Sequence, residues 1–221
     1  TPKHRFKQTT EGAQPMESTI DVDCIICAHH GLSMLAHTEQ IAYFGEHTQV
    51  TLTCPGCGWR QTDFIPAEGR EGSCQTYLID SAEDLSIRVI RGSACTVRLI
   101  ELDLEVRPGS HSTGYVSNIE GVLNRFQEVI DMVGRQAAVE ENWQAITDLT
   151  KLTEQMLKIR EGKEGVTLEM LDPCGHSMIL TEGVEERPLT EAEIDDLPVG
   201  PAAGLMEAGV AQSRAGPVTD E

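Results

Sequence analysis

Four cysteines are spaced so that they could act together. Cys24 and Cys27 lie in DCIIC, Cys54 and Cys57 in TCPGCGW, and 26 residues separate the two Cys-x-x-Cys pairs. Each pair can present two sulfurs to one ion from a single tight turn. Two such turns brought face to face supply the tetrahedral ligand set of a structural zinc site. Gly58 suits the sharp bend after the second pair. Ala28 holds the matching place after the first, which predicts a looser turn there. Two other chemistries compete. A redox Cys-x-x-Cys should open a helix, yet Trp59 to Ile65 reads as a strand. A complete disulfide framework needs an even number of cysteines, and the chain has 7. Metal ligation is therefore the preferred reading for Cys24, Cys27, Cys54 and Cys57, with one zinc ion as the cofactor and iron as the other ion four thiolates accept. His29 and His30 are the nearest substitutes for a thiolate and are read as exposed. Cys74, Cys95 and Cys174 have no partner by spacing and are read as small core or surface residues. Four protein ligands leave no coordination position for water or substrate, so the expected role is structural.

The elements that must position these residues follow from periodicity. Residues 20–70 form the expected zinc ribbon, with strands at Val50–Thr53 and Trp59–Ile65 flanking the second pair. Residues 71–182 read as a β-domain. Tyr77–Ile79 and Ile87–Ile90 are β-branched and apolar. Ile100, Leu102, Leu104 and Val106 alternate with Glu101, Asp103 and Glu105, the period of a half-buried strand. Val97 and Leu99 have the opposite phase, which predicts a bulge or kink near Leu99–Ile100. Ser117-Asn-Ile-Glu120 predicts a capping box at a helix start. Ile119, Val122, Leu123, Phe126, Val129, Ile130 and Val133 then share one face, with Gly134 as the stop. A second helix is expected over about 137–160, with Trp143, Ile146, Leu149, Leu152, Met156 and Ile159 as its stripe. The pair makes a helical hairpin inserted at about 117–161. Asp172-Pro-Cys-Gly175 predicts a turn closing a β-hairpin between Val166–Leu171 and Ser177–Leu180. Thr190-Glu-Ala-Glu193 predicts another capped helix within a C-terminal tail, 183–221, expected to be mostly disordered. Residues 1–19 are expected to be a disordered leader, with Met16 a candidate natural start. The fold class is thus mainly β with an α insertion.

Composition narrows the function classes. The chain carries 36 acidic and 17 basic residues among 221, a net charge of −19. Such a field repels nucleic acid and anionic lipid and suits a basic protein partner. Aromatic residues make up 4%, so the core must be aliphatic. No apolar run has the length of a membrane helix and no signal peptide is visible, so a cytoplasmic location is expected.

In this order, several short motifs resemble the ZPR-type zinc-finger proteins, as an archaeal, single-module member. The likeness covers about residues 20–182. It rests on the two distant Cys pairs, Tyr43-Phe-Gly-Glu46, Cys54-Pro-Gly-Cys-Gly58, and Glu83-Asp-Leu85 leading to Arg88-Val-Ile90. It continues through Glu101-Leu-Asp-Leu-Glu105, Pro108-Gly109, Val116 to Leu123, and Asp172-Pro-Cys-Gly175. Ile25 and Ile100 stand where prolines are usual, and His176 where asparagine is. The resemblance implies a zinc ribbon followed by a β-domain resembling a double-stranded β-helix, with a helical hairpin inserted. It also implies a partner, because eukaryotic relatives carry the module twice, bind translation elongation factor one-alpha, assist its folding, and have been linked to receptor kinase domains.

The expected function is therefore a zinc-binding adaptor or folding-factor-like module. Candidate contacts are the ribbon tip near Ile41–Glu46 and the outward acids Glu101, Asp103 and Glu105. Ordinary packing for Tyr43 and Phe44, and a solvated strand face for the acids, are the simpler readings of both. A nucleic-acid-binding ribbon is the first alternative. It is disfavoured because residues 21–70 hold six acids against Arg60 and Arg70 and lack a basic stripe with interleaved aromatics. An enzyme is the second, with His111 beside Ser110 and Ser112, and His176, as its only candidates. No glycine-rich phosphate loop or nucleophile elbow accompanies them.

Overall fold

The computed structural model describes residues 15–42 and 44–198. The first module is an antiparallel meander of β1 (Met16–Asp23), β2 (His30–Ile41), β3 (Gly45–Thr53) and β4 (Arg60–Pro66), in that spatial order. Alternation sets its register. Met34 lies opposite Leu52 and Ala36 opposite Val50, so one face collects the apolar side chains. Leu32, Met34, Val50 and Leu52 are fully buried there, with Trp59 at the edge of the cluster. The β1–β2 and β3–β4 connections contain the cysteine pairs. A meander places alternate connections at the same end, so the two pairs meet.

The second module is a jelly roll of two antiparallel sheets. The larger one has the order β12–β5–β10–β7–β8, from Glu185–Pro188, Ser73–Ile79, Val166–Asp172, Thr96–Leu99 and Leu104–Val106. The smaller one is β11–β6–β9, from Met178–Leu180, Arg88–Arg91 and Tyr115–Asn118. Leu99, Leu168 and Met170 from the larger sheet meet Val89 and Ile179 from the smaller. Ile119, Leu123 and Phe126 of the first helix close the same core. Burying side chains of this size contributes about 1.5–3 kcal/mol each, which explains how a core poor in aromatics holds.

The inserted hairpin consists of α1 (Ile119–Val139) and α2 (Trp143–Arg160). Asn118 caps α1, its Oδ1 accepting from the Gly121 amide at 2.9 Å. The expected cap, Ser117, is instead paired with Val89 in the β-ladder. Gly134 does not end α1. The helix formers that follow it carry the helix to Val139, and the reversal comes where Glu141 takes φ 55° and Asn142 caps α2. α2 therefore starts at Trp143 rather than near 137. Trp143 is 72% exposed, and Val129 and Val133 are also exposed, because this end of the hairpin stands clear of the jelly roll. Among the described residues no helix is long and apolar enough to cross a membrane.

Four further expectations are corrected. The alternating run Ile100–Val106 is not one strand. A 3-10 turn spans Ile100–Leu102, Asp103 adopts φ 50°, and β7 and β8 pair antiparallel across that turn. The predicted kink is a full reversal, which also accounts for the opposite phase of Val97 and Leu99. Asp172–Gly175 is a turn but closes no hairpin, since β10 pairs with β5 and β7 whereas β11 pairs with β6 in the other sheet. Within the expected leader, Met16–Thr19 belong to β1. Within the expected tail, β12 pairs with β5 and α3 (Glu191–Asp196) opens with the predicted capping box at Thr190. Leu189 and Leu197 bury against Cys74 and Leu171. The remaining leader and tail expectations, residues 1–14 and 199–221, lie outside the described residues, as does Tyr43.

Candidate metal centre

The two cysteine turns are built alike. In the first, the Ala28 amide donates to the Cys24 carbonyl at 2.8 Å and the Cys24 amide to the His29 carbonyl at 2.8 Å. In the second, Gly58 donates to Cys54 at 2.9 Å and Cys54 to Trp59 at 2.8 Å. Both need a left-handed residue after the second cysteine, and φ is 55° at Ala28 and 75° at Gly58. The first turn is thus not looser than the second; it keeps the same hydrogen bonds with a residue that is strained in that conformation. The turns face each other closely. A Cβ on Gly56 would lie 2.8 Å from the His29 ring.

This arrangement gathers the sulfurs of Cys24, Cys27, Cys54 and Cys57 within 4.8 Å of one another. Cys24 and Cys57 are 3.8 Å apart, and Cys27 and Cys54 3.6 Å. A zinc ion holds sulfur at about 2.3 Å, and the edge of that tetrahedron is about 3.8 Å. The cluster therefore fits the ion, and it is far too open for a disulfide bond of about 2.05 Å. Cys24 and Cys54 are buried while Cys27 and Cys57 reach the surface. Electrostatics favour a cation. Burial pushes the Cys24 thiol up, but amides of Cys27 and Ile26 and the neighbouring thiols outweigh it and bring it down to about 7. At Cys27 the His29 amide lowers the pKa, yet the surrounding sulfurs, Cys57 first, push it up to about 12. One thiolate forms readily and the next is resisted by its like-charged neighbours, a conflict that a bound divalent cation removes. Once bound, zinc would tie the β1–β2 and β3–β4 turns together and leave no open ligand position.

The other candidates fall elsewhere. His30 lies 2.6 Å from Asp21 through Nε2 and 2.8 Å from Asp23 through Nδ1, so both its ring nitrogens are committed to carboxylates. Its pKa is raised, first by the Asp23 hydrogen bond. Phe44 is buried and packs edge-on to His47. Glu101 accepts from the Thr167 amide and hydroxyl, both at 2.6 Å, and Glu105 pairs with Arg98 and Arg107. Both acids are exposed and engaged by these neighbours on the surface of the jelly roll, and Asp103 is exposed at the 3-10 turn. His111 and Ser110 are exposed and contact each other at 3.0 Å. His176 is buried against Asp63 of the ribbon. Cys74 and Cys95 are buried, and burial raises both thiols. Asp63 was not singled out from the sequence. It shares the inward phase of β4 with the polar Gln61, so the strand pattern gives no more than a weak hint of its burial.

Comparison with known proteins agrees with this architecture. The model of the ZPR1 jelly-roll domain matches residues 83–195, just over half of the chain. A ZPR1-like protein of Methanocaldococcus jannaschii is 39% identical over 186 residues, covering 84% of this chain and 92% of that protein. The human zinc finger protein ZPR1 is 27% identical over 185 residues, 80% of this chain but 39% of that protein. The zinc finger chaperone zpr1 of Schizosaccharomyces pombe is 30% identical over 171 residues, 76% of this chain and 35% of that protein. The match to the family model, together with the length and identity of the archaeal alignment, places this chain in the ZPR1 family of zinc-finger proteins.

Proposed function

We propose that Cys24, Cys27, Cys54 and Cys57 ligate one structural zinc ion, and that the module so ordered binds a protein partner in the manner of a folding factor. The observation that carries this reading is the closed four-sulfur cluster in a chain whose relatives include a protein named a zinc finger chaperone. A centre without an open position supplies shape rather than chemistry, which supports a reading in which the metal orders the module for binding. The net charge of −19 favours a basic partner surface. Resemblance to the eukaryotic relatives suggests translation elongation factor one-alpha as that partner, with the cytoplasm as the place of encounter. The test is a calorimetric titration of the zinc-loaded chain with elongation factor one-alpha of the same organism, in both nucleotide states. Saturable binding that is lost on chelation is the expected result. No heat in either state would remove this partner from the proposal.

A further inference from the structure

Outside the metal centre, a dense set of buried polar groups lies where the ribbon meets the jelly roll. Asp63 of β4 is fully buried. Its carboxylate accepts from the Ser93 amide at 3.0 Å and the Ser93 hydroxyl at 2.7 Å, and His176 Nδ1 lies 3.3 Å away. Ser93 belongs to the β6–β7 turn and His176 to the segment between β10 and β11, so one ribbon side chain holds two parts of the jelly roll. Beside it, the Thr62 amide donates to Thr113 Oγ1 at 2.9 Å and the Thr62 carbonyl accepts from the Gly114 amide at 2.7 Å. A Cβ on Gly114 would come within 2.6 Å of Asp63 Oδ1. Trp59, two residues beyond Cys57, donates from its indole to the Ser110 carbonyl at 3.3 Å.

The apolar cores of the two modules share no residue among those described. What fastens the modules at this point is a set of directional hydrogen bonds, several of them to a buried charge. Such bonds tolerate little displacement, and a buried carboxylate that loses its donors gains by moving to water. β4 begins two residues after Gly58, so its position depends on the Cys54–Cys57 turn.

We propose that Asp63 is a latch that transmits the metal state of the ribbon to the jelly roll. With the four thiolates joined by a metal ion, β4 is fixed and Asp63 holds the β6–β7 turn. When the ion is lost, β4 loosens, Asp63 withdraws, and the β6–β7 turn and the 108–114 loop are released together. This rests on the metal reading of the four cysteines.

The test is amide hydrogen exchange on the full chain, zinc-loaded and chelated, in the wild type, Asp63→Ala and Ser93→Ala. In the wild type, chelation is expected to speed exchange in β4 and, by about tenfold or more, at the Ser93 and Gly114 amides. In zinc-loaded Asp63→Ala the metal stays bound, yet Ser93 and Gly114 already exchange at the chelated rate and chelation adds nothing there. Ser93→Ala removes a donor from the jelly-roll side and gives the same pattern, in smaller measure, at Gly114, should Asp63→Ala fail to fold. Wild-type Ser93 and Gly114 that keep their protection while the chelated ribbon exchanges freely would overturn the latch. A wild-type chain without stoichiometric metal would instead defeat the metal reading, and the trigger with it.

Discussion

At the tip of the first cysteine turn, Ala28 holds a left-handed conformation that costs an L-residue about 1–2 kcal/mol. Gly58 holds the same place in the second turn without that cost, and a Cβ there would meet nothing within 4 Å. The two positions therefore respond oppositely to exchange. Gly58→Ala should lower stability by about 1 kcal/mol, whereas Ala28→Gly should leave it unchanged or raise it by up to about 1 kcal/mol, since strain relief is partly offset by added freedom of the unfolded chain. Denaturant midpoints of the zinc-loaded proteins would decide, and a clear loss in Ala28→Gly would contradict the matched-turn account. Replacing Cys27 by Ser should cost far more, because it removes a ligand. Metal analysis after gel filtration is expected to show the variant depleted of zinc where the wild type retains one equivalent. The gathering of Cys24, Cys27, Cys54 and Cys57 was legible in the sequence because four cysteines in two matched pairs leave few geometries open. Asp63 was not, because its strand phase also holds the polar Gln61, so its position gives only a weak hint; its distant partners Ser93 and His176 mark it as buried.

Elements with strong local signals were legible: the ribbon strands flanking Cys54 and Cys57, the helical hairpin, and the Thr190 cap. Pairings set by distant neighbours were not. Leu102 and Leu104 alternate like one strand, yet the 3-10 turn at Ile100–Leu102 divides them, because Leu168 of β10 pairs with Leu99 and β8 folds back on β7. The caps give a direct check at this scale. Asn118→Ala should destabilise the protein by about 1 kcal/mol, while Ser117→Ala, whose residue sits in β9 rather than at the cap, should cost clearly less; thermal unfolding compares them. At α3, Arg187 reaches Glu193 at 2.6 and 2.8 Å, and with the Thr190 amide it holds that carboxyl down to about 2. A depressed carboxylate contributes stability that is complete above its ordinary pKa and lost as pH falls through the depressed value. Amide protection at Ile194 and Leu197 should therefore persist to pH 3.5. The effect is small for so exposed a pair, under about 1 kcal/mol. Glu193→Gln, which keeps a capping-box residue, should lose this pH dependence; unchanged acid behaviour in that variant would remove the ion pair as its cause.

Across the whole molecule, the zinc ribbon and the jelly roll have separate apolar cores joined by a polar seam. Their response to metal loss should accordingly be graded. Chelation is expected to unfold the ribbon, 16–66, while the jelly-roll sheets and the α1–α2 hairpin keep their secondary structure. A single cooperative loss of all far-ultraviolet circular dichroism on adding chelator would contradict two separable modules. Protons compete with metal for thiolates, so metal release should also accompany acidification, with affinity falling as pH drops. All of this rests on the four sulfurs holding one ion. The most direct test is X-ray absorption at the zinc edge of the purified chain, with total metal analysis beside it. One zinc per chain, bound by four sulfurs at about 2.3 Å, is the predicted result. A first shell containing nitrogen or oxygen, or a folded chain with no stoichiometric zinc, would contradict it.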